Sequence, residues 1–209
     1  MSPHQALELA QTLRPAIGDE RVLAAIASVP RERFVPESEH ERAYANVALP
    51  IGAGQTISQP LVVARMLEIL QLKPSDRVLD VGTGSGYHAA LLSLLVDRVY
   101  TVERHPELTE AARQALTHLG IDNITFSTGD GWEGWPEEGP FDAINVAAAM
   151  GDEAPHALEE QLAEGGRMVA PVGTKDQQHL ILTERAGDRV SRHQLEAVQF
   201  VPLVRGTHR

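Results

Sequence analysis

Two stretches of this 209-residue chain carry side chains whose types and spacing suit chemistry. The first is Asp80-Val81-Gly82-Thr83-Gly84-Ser85-Gly86-Tyr87, a glycine-rich turn entered from the apolar run Arg77 to Val81 and left by the helical run HAALLSLLV. Glycines at 82, 84 and 86 let the backbone approach a ligand where a Cβ would clash. A dinucleotide fingerprint would need its third glycine at position 87, where this chain has Tyr87. The spacing is instead Gly-x-Gly-x-Gly, with Asp80 just ahead of it. A carboxylate there repels a pyrophosphate and suits a ligand carrying an amine and a sulfonium. Glu103 ends the next expected strand, where an acid can accept two hydrogen bonds from a ribose diol, each worth roughly 1.5–3 kcal/mol. Asp130-Gly131 follows the third expected strand, in reach of an exocyclic amine. Taken singly, Asp80 and Asp130 would as readily cap a helix or a turn. Three acids at successive strand ends, beside this turn, point to an adenosine-containing ligand with a positive centre, and S-adenosylmethionine fits.

The second stretch is GQTISQP, residues 54–60, with only Ile57 apolar. It reads as neither a core strand nor a free linker. Thr56 and Ser58 place two hydroxyls close together, just ahead of Pro60. A serine two residues before a proline is also an ordinary helix start, so a capping role for Ser58 is the plain alternative. His88, beside the glycine turn, either contacts the ligand or is an exposed first-turn residue. Trp132 and Trp135 are expected to pack rather than to stack on a substrate.

Positioning these residues falls to an alternation of strands and helices. Residues 4–13 and 20–28 read as helices, the second stopped by Pro30, and 60–71 as a third that opens on its proline. The charged run 31–42 reads as a solvated surface segment. From Lys73 onward, strands are expected over 77–81, 98–103, 124–127, 141–147 and 167–172. Helices are expected over 88–96, 106–120 and 153–163. Such alternation predicts an α/β fold, a mostly parallel sheet with helices on both faces. Runs 179–183 and 195–204 read as strands extending one edge antiparallel. A single domain is expected over 1–209, with a helical, substrate-side segment 1–72, a ligand-binding core 73–175 and C-terminal strands 176–209.

Composition narrows the partners. The formal net charge is −11, opposite to what a phosphate-tracking surface needs, so nucleic acid is not an expected partner. No apolar run approaches the ~18 residues of a membrane helix, no secretion pattern opens the chain, and a cytoplasmic, membrane-free protein is expected. The absence of cysteine removes thiolate chemistry, and the nine histidines show no His-x-x-x-His spacing, so no metal site is expected.

Six segments then carry a resemblance: ALPIGAGQTISQP (48–60), VLDVGTGSGYHAA (78–90), VERH (102–105), GDGWEGWPEEGPFDAI (129–144), EQLAEGGRMVAPVG (160–173) and FVPLV (200–204). Together, over about residues 30–205, the chain resembles the protein-L-isoaspartate O-methyltransferases. VLDVGTGSG alone would mark only methyltransferases in general; the first and fourth segments are more specific. The resemblance implies a Rossmann-like class I S-adenosylmethionine-dependent methyltransferase sheet with N-terminal helices. It implies methylation of the α-carboxyl of L-isoaspartyl residues, and more weakly of D-aspartyl residues, in aged proteins and peptides. S-adenosylhomocysteine is the implied product. Asp80, Gly82, Thr83, Gly84, Ser85, Gly86, Glu103, Asp130 and Gly131, with Ile57, are the implied cofactor residues. Thr56, Ile57, Ser58 and Gln59 are the implied substrate residues, with Ser58 the active-site residue. The chain departs from the family pattern at Leu61, Asn145 to Ala147, Met150 to Asp152 and Gln199, and none of these is expected to touch the opening motif or the acids. A small-molecule methyltransferase, a nucleotide-dependent reductase and a non-catalytic binding module are the alternatives.

The chemistry implied is undemanding. A carboxylate has a pKa of ~3.9, or ~3.5 for an α-carboxyl, so the nucleophile is ionised at neutral pH and needs no base. What is left is in-line positioning at about 3–3.5 Å. Neutral hydroxyl and amide donors hold a carboxylate without the tight ground state of an arginine pair, which makes Ser58 a positioner. The substrate is expected to bind extended, through backbone hydrogen bonds, to a monomer.

Overall fold

In the computed structural model, which describes residues 3–151 and 156–207, the chain opens with helices Pro3–Leu13 (α1) and Glu20–Ser28 (α2). Asp19 caps α2, its carboxylate accepting from the Arg21 and Val22 amides, and Val22, Leu23, Ala25 and Ile26 form its buried face. Two 3-10 turns, Arg31–Phe34 and Glu37–Arg42, lead to a hairpin of Leu49–Gly52 (β1) and Gln55–Ile57 (β2). Helix Pro60–Leu70 (α3) follows, with proline in its first turn. Then come Arg77–Val81 (β3), Tyr87–Ser93 (α4), Arg98–Glu103 (β4), Pro106–His118 (α5), Ile124–Thr128 (β5) and Phe141–Val146 (β6). Helix His156–Glu160 (α6) precedes three long strands, Leu162–Thr174 (β7), Gln177–Ala186 (β8) and Arg189–Val198 (β9).

Seven strands form one sheet in the order β5-β4-β3-β6-β7-β8-β9. The first five run parallel and the last two antiparallel. Val78, Leu79, Val81, Val99, Ile144 and Val146 have no exposed surface, as parallel strands covered on both faces require. The chain leaves β3 toward β4 on one side, whereas β6 pairs on the other. The strand order therefore reverses at β3, and ligands of open α/β sheets bind at such a point, beyond the carboxyl ends of the strands. No helix among the described residues is long and apolar enough to cross a membrane.

Three expectations from the sequence need correction. The helix expected over 153–163 ends at Glu160, because the Phe141 amide bonds the Gln161 carbonyl and draws Leu162 into register with β6; residues 153–155 lie outside the described residues. The last strand runs 189–198, not 195–204. It is set by a turn at Gly187 (φ 60) that pairs Ala186 with Arg189. Its outer residues face water at the sheet edge, so it lacks an apolar signal; beyond it, Pro202 makes a single bridge to Ala149. The segment 31–42 is not simply solvated: Arg31, Glu32 and Phe34 are buried.

Gly86, at φ 88, makes the close approach of α4 to α5 feasible. A Cβ there would stand 3.0 Å from Ala112 Cβ and 3.2 Å from Leu116 Cδ1. Gly86→Ala is expected to cost about 2–4 kcal/mol through backbone strain and overpacking. Urea denaturation will show this as a lower midpoint with an unchanged slope.

Candidate active site

The hairpin register pairs Leu49 with Ile57 and Pro50 with Thr56. Leu49 and Ile57 are buried, so alternation along β2 turns Thr56 outward. Ser58 follows, half-buried, and the helix cap is the next residue, Gln59, which makes no side-chain cap bond. The Leu61 amide is served from a distance, by Asn46 Oδ1 at 2.9 Å. Ser58 therefore does not cap α3, and its hydroxyl is left to the cavity beside it. The Ser58 carbonyl accepts from Arg31 Nη2 at 2.7 Å.

The glycine turn is held from behind. Val102 O accepts from the Gly82 and Thr83 amides at 2.9 and 3.3 Å, and Thr83 O from Gly86 at 2.8 Å. Glu103 accepts the Gly84 amide on one carboxylate oxygen and the His105 amide on the other, at 2.9 and 3.0 Å. Asp80, wholly buried, accepts from Asn145 Nδ2 at 2.8 Å and from the Thr101 hydroxyl at 3.0 Å. That fixes the direction of the next bond: Thr83 donates to Thr101, with 2.6 Å between the oxygens. Burial pushes the Asp80 carboxyl up to about 7; the bonds from Asn145 and Thr101 oppose this, and the Glu103 charge adds to it.

Asp130 stands at the third strand end, its Oδ1 accepting from the Trp132 amide at 2.9 Å and its Oδ2 from Gly206 at 2.5 Å. Gly131 is closely packed, since a Cβ would lie 2.7 Å from Val81 Cγ1 and 3.0 Å from Leu203 Cδ1. Both tryptophans pack, as expected. Trp132 donates to Leu203 O and lies under the Arg205 guanidinium, and Trp135 meets Tyr100 edge-on. His88 is neither exposed nor in the cleft. Burial lowers its pKa to about 4 and keeps it neutral.

Two cavities meet here. A cleft of about 70 Å³ is lined by Gly82, Gly84, Glu103, Arg104, His105 and Gly131, with part of the C-terminal segment. A groove of about 980 Å³ is lined by Ser58, Gln59, Gln178, Gln199 and Phe200, among others. Thr56, Ala147, Val201 and Pro202 line both, and so form the waist between them. Of the residues expected at the cofactor, Gly82, Gly84, Glu103 and Gly131 reach the cleft. Asp80, Thr83, Ser85, Gly86 and Asp130 stand behind it, and the Ile57 side chain goes to the core. Of the four waist residues the sequence points to Thr56 alone, although Ala147 directly follows β6 at the switch point and Val201-Pro202 falls within FVPLV. The departures also lie nearer the site than expected: Asn145 bonds Asp80, and Gly151 and Gln199 line the groove with Thr56 and Ser58. Asp152 lies outside the described residues.

The raised Asp80 pKa has a measurable sign. The folded state keeps a proton that the unfolded chain loses near pH ~3.9, so the stabilisation is complete below that value and is lost as pH rises through about 7. Between pH 5 and 8 the free protein is expected to lose about 3 kcal/mol relative to Asp80→Asn, at ~1.4 kcal/mol per pH unit. Urea titrations of both proteins across that range will show it; a constant difference would mean an ionised Asp80 throughout.

The family model for protein-L-isoaspartate(D-aspartate) O-methyltransferase matches residues 4–208. A protein-L-isoaspartate O-methyltransferase of Koribacter versatilis is 54% identical over 194 residues, covering 93% of this chain and 87% of that one. Among solved structures, a protein-L-isoaspartate O-methyltransferase superposes with a TM-score of 0.85 at 30% identity, over 93% of this chain and 64% of that longer one. A Plasmodium falciparum protein described by the same activity, solved in complex with S-adenosyl-L-homocysteine, gives 0.82 at 27% identity, over 95% of this chain and 98% of that one. By sequence over nearly its whole length, and by a seven-stranded sheet with its crevice at β3, this chain belongs to the protein-L-isoaspartate O-methyltransferase family.

Proposed function

We propose that this chain transfers a methyl group from S-adenosylmethionine to the free α-carboxyl of L-isoaspartyl residues, and more weakly to D-aspartyl residues, in damaged polypeptides, releasing S-adenosylhomocysteine. The backbone amide nitrogen then attacks the methyl ester and expels methanol, closing a succinimide that water reopens in part to normal aspartate. The observation that carries this reading is the waist: a small cleft with Glu103 in its wall and a wide groove lie side by side and share Thr56, Ala147, Val201 and Pro202. A donor on one side and an acceptor on the other are then close enough to exchange something as small as a methyl group.

The cleft suits the donor chemically. Glu103 is a carboxylate fixed by two backbone amides, with lone pairs left for a diol, and Gly82 and Gly84 keep side chains out of the way. Gly131 forms the adjoining wall with Asp130 behind it, and Thr83, Ser85 and Gly86 shape the turn itself. Asp80 acts from behind the turn, holding its supports and adding negative charge beneath a cationic ligand. The cleft volume is well below the ~300 Å³ of an ordinary ligand pocket, so donor binding displaces part of the Val201 to Val204 wall. When bound, S-adenosylmethionine supplies a methyl group already activated on sulfur.

On the groove side the chain has only to bind and orient. The isoaspartyl carboxylate is its own nucleophile, ionised at neutral pH. Thr56 offers a hydroxyl at the waist, Ser58 another in the groove beside it, and Gln59 an amide. Isoaspartate adds a methylene to the main chain and projects its α-carboxyl as a branch. Donors placed for that branch distinguish it from aspartate by position alone. The groove is lined almost wholly by neutral side chains and backbone, which suits a polypeptide acceptor held by its main chain. Its openness supports a monomer that admits varied chains, and the net charge of −11 argues against nucleic acid.

Tritiated methyl transfer to peptides that differ only in isoaspartate or aspartate decides the reading. Labelling of the isoaspartyl peptide alone is expected; equal labelling, or none, would refute it. Ser58→Ala is expected to lower kcat about 10–100-fold, the worth of one hydrogen bond to a charged group, with donor affinity kept. Glu103→Ala is expected to raise the donor Kd by about 10–100-fold in calorimetry, and an unchanged value would remove Glu103 from the ribose.

A further inference from the structure

Arg31 heads the largest side chains buried without any exposed surface among the described residues. A buried guanidinium is costly unless a counter-charge or a full set of hydrogen bonds compensates it. Here no carboxylate among the described residues forms an ion pair with it; the neighbouring Glu32 accepts from the Tyr44 hydroxyl. Its Nε donates to Ala43 O at 2.8 Å and its Nη2 to Ser58 O at 2.7 Å. Its guanidinium carbon lies over the Tyr87 ring, 4.7 Å from the centroid, and Phe34 meets that ring edge-on. A methionine or leucine would fill this space with no desolvation penalty. What neither could do is bond two carbonyls from separate loops while stacking on a third element.

Those three partners matter by position. Ser58 O belongs to the residue that faces the groove between β2 and α3. Ala43 O belongs to the loop leading into the hairpin. Tyr87 is the first residue of α4, directly after Gly86, where the glycine turn ends. Holding the Ser58 carbonyl fixes the peptide plane from which its side chain departs, and stacking on Tyr87 refers that plane to the turn. We infer that Arg31 is a positioning residue for methyl transfer: it sets Ser58 in the groove beside the waist by gripping its carbonyl, and ties that setting to the glycine turn through Tyr87. The inference rests on the reading of Ser58 given above.

Arg31→Lys keeps a charge but loses the planar fork that reaches both carbonyls. Arg31→Met keeps the bulk without the charge. Both are expected to lower kcat at least tenfold on an isoaspartyl peptide, with the S-adenosylhomocysteine Kd by calorimetry within threefold of the unaltered protein. Arg31→Met is expected to retain its melting temperature, because removing a buried unpaired charge offsets the lost bonds. A purely structural role predicts the opposite, with stability and donor affinity falling along with the rate. The deciding measurement is a double-mutant cycle under single-turnover conditions. In a Ser58→Ala background, Arg31→Met should slow the reaction less than threefold, since the group it positions is gone. Full additivity, a tenfold loss of donor affinity, or undiminished kcat in both variants would overturn the proposal while leaving the methyl-transfer reading intact. No isoaspartyl labelling by the unaltered chain would remove both.

Discussion

The reversal of strand order at β3 is the constraint on which the site depends. Because the chain crosses from β3 to β4 on one side and β6 pairs on the other, the two connections diverge and leave a crevice at the carboxyl ends. The glycine turn fills its floor, with the Gly82 amide bonded to Val102 O and the Ala147 amide to Val81 O. Glu103, Asp130 and Ala147 are then rim residues by topology, since each lies at or just past the end of a neighbouring strand. The hairpin and the C-terminal segment close the crevice from outside, and where they approach one another the waist forms.

Charge is distributed around this crevice unevenly. The cleft side has Glu103 in its wall and Asp80 beneath it, and burial works against having both ionised. Asn145 and Thr101 each favour the charged form of Asp80, so the carboxyl sits near the balance point between its two states. The groove side is almost without charge, Lys175 being the only ionisable residue among the described residues that line it. A surface of hydroxyls, amides and backbone can accept many peptide sequences, because it asks for little from their side chains.

Features governed by local chemistry were legible in the sequence. The Gly-x-Gly-x-Gly turn, the prolines opening α3 and α5 and the alternating periodicity each depend on residues within a few positions of one another. Successive strand ends brought the three acids together because adjacent βα units pair in order. What stayed hidden depends on partners far along the chain. Serine at 58 looks like a cap until Asn46 takes that role from fifteen residues away. A charged run looks solvated until Arg31 finds two carbonyls and an aromatic face. Asn145 looks like a substitution in a core strand until β6 sets it beside Asp80. The edge strand β9 carries no apolar signal because its residues face water, and its register comes from a hairpin turn. The finer division, in which Asp80 and Asp130 stand behind the cleft while Glu103 enters it, turns on side-chain direction, which strand position alone does not give.

Val201 and Pro202 bound both cavities. A wall with two faces cannot move for one occupant without being felt by the other. A shift of this segment on donor binding would change the groove as well, so the acceptor would meet a differently shaped surface before and after that event. Binding should therefore follow an order, donor ahead of polypeptide, and the spent donor should leave last. Such a sequence would also keep a damaged chain from occupying an enzyme that has no methyl group to give.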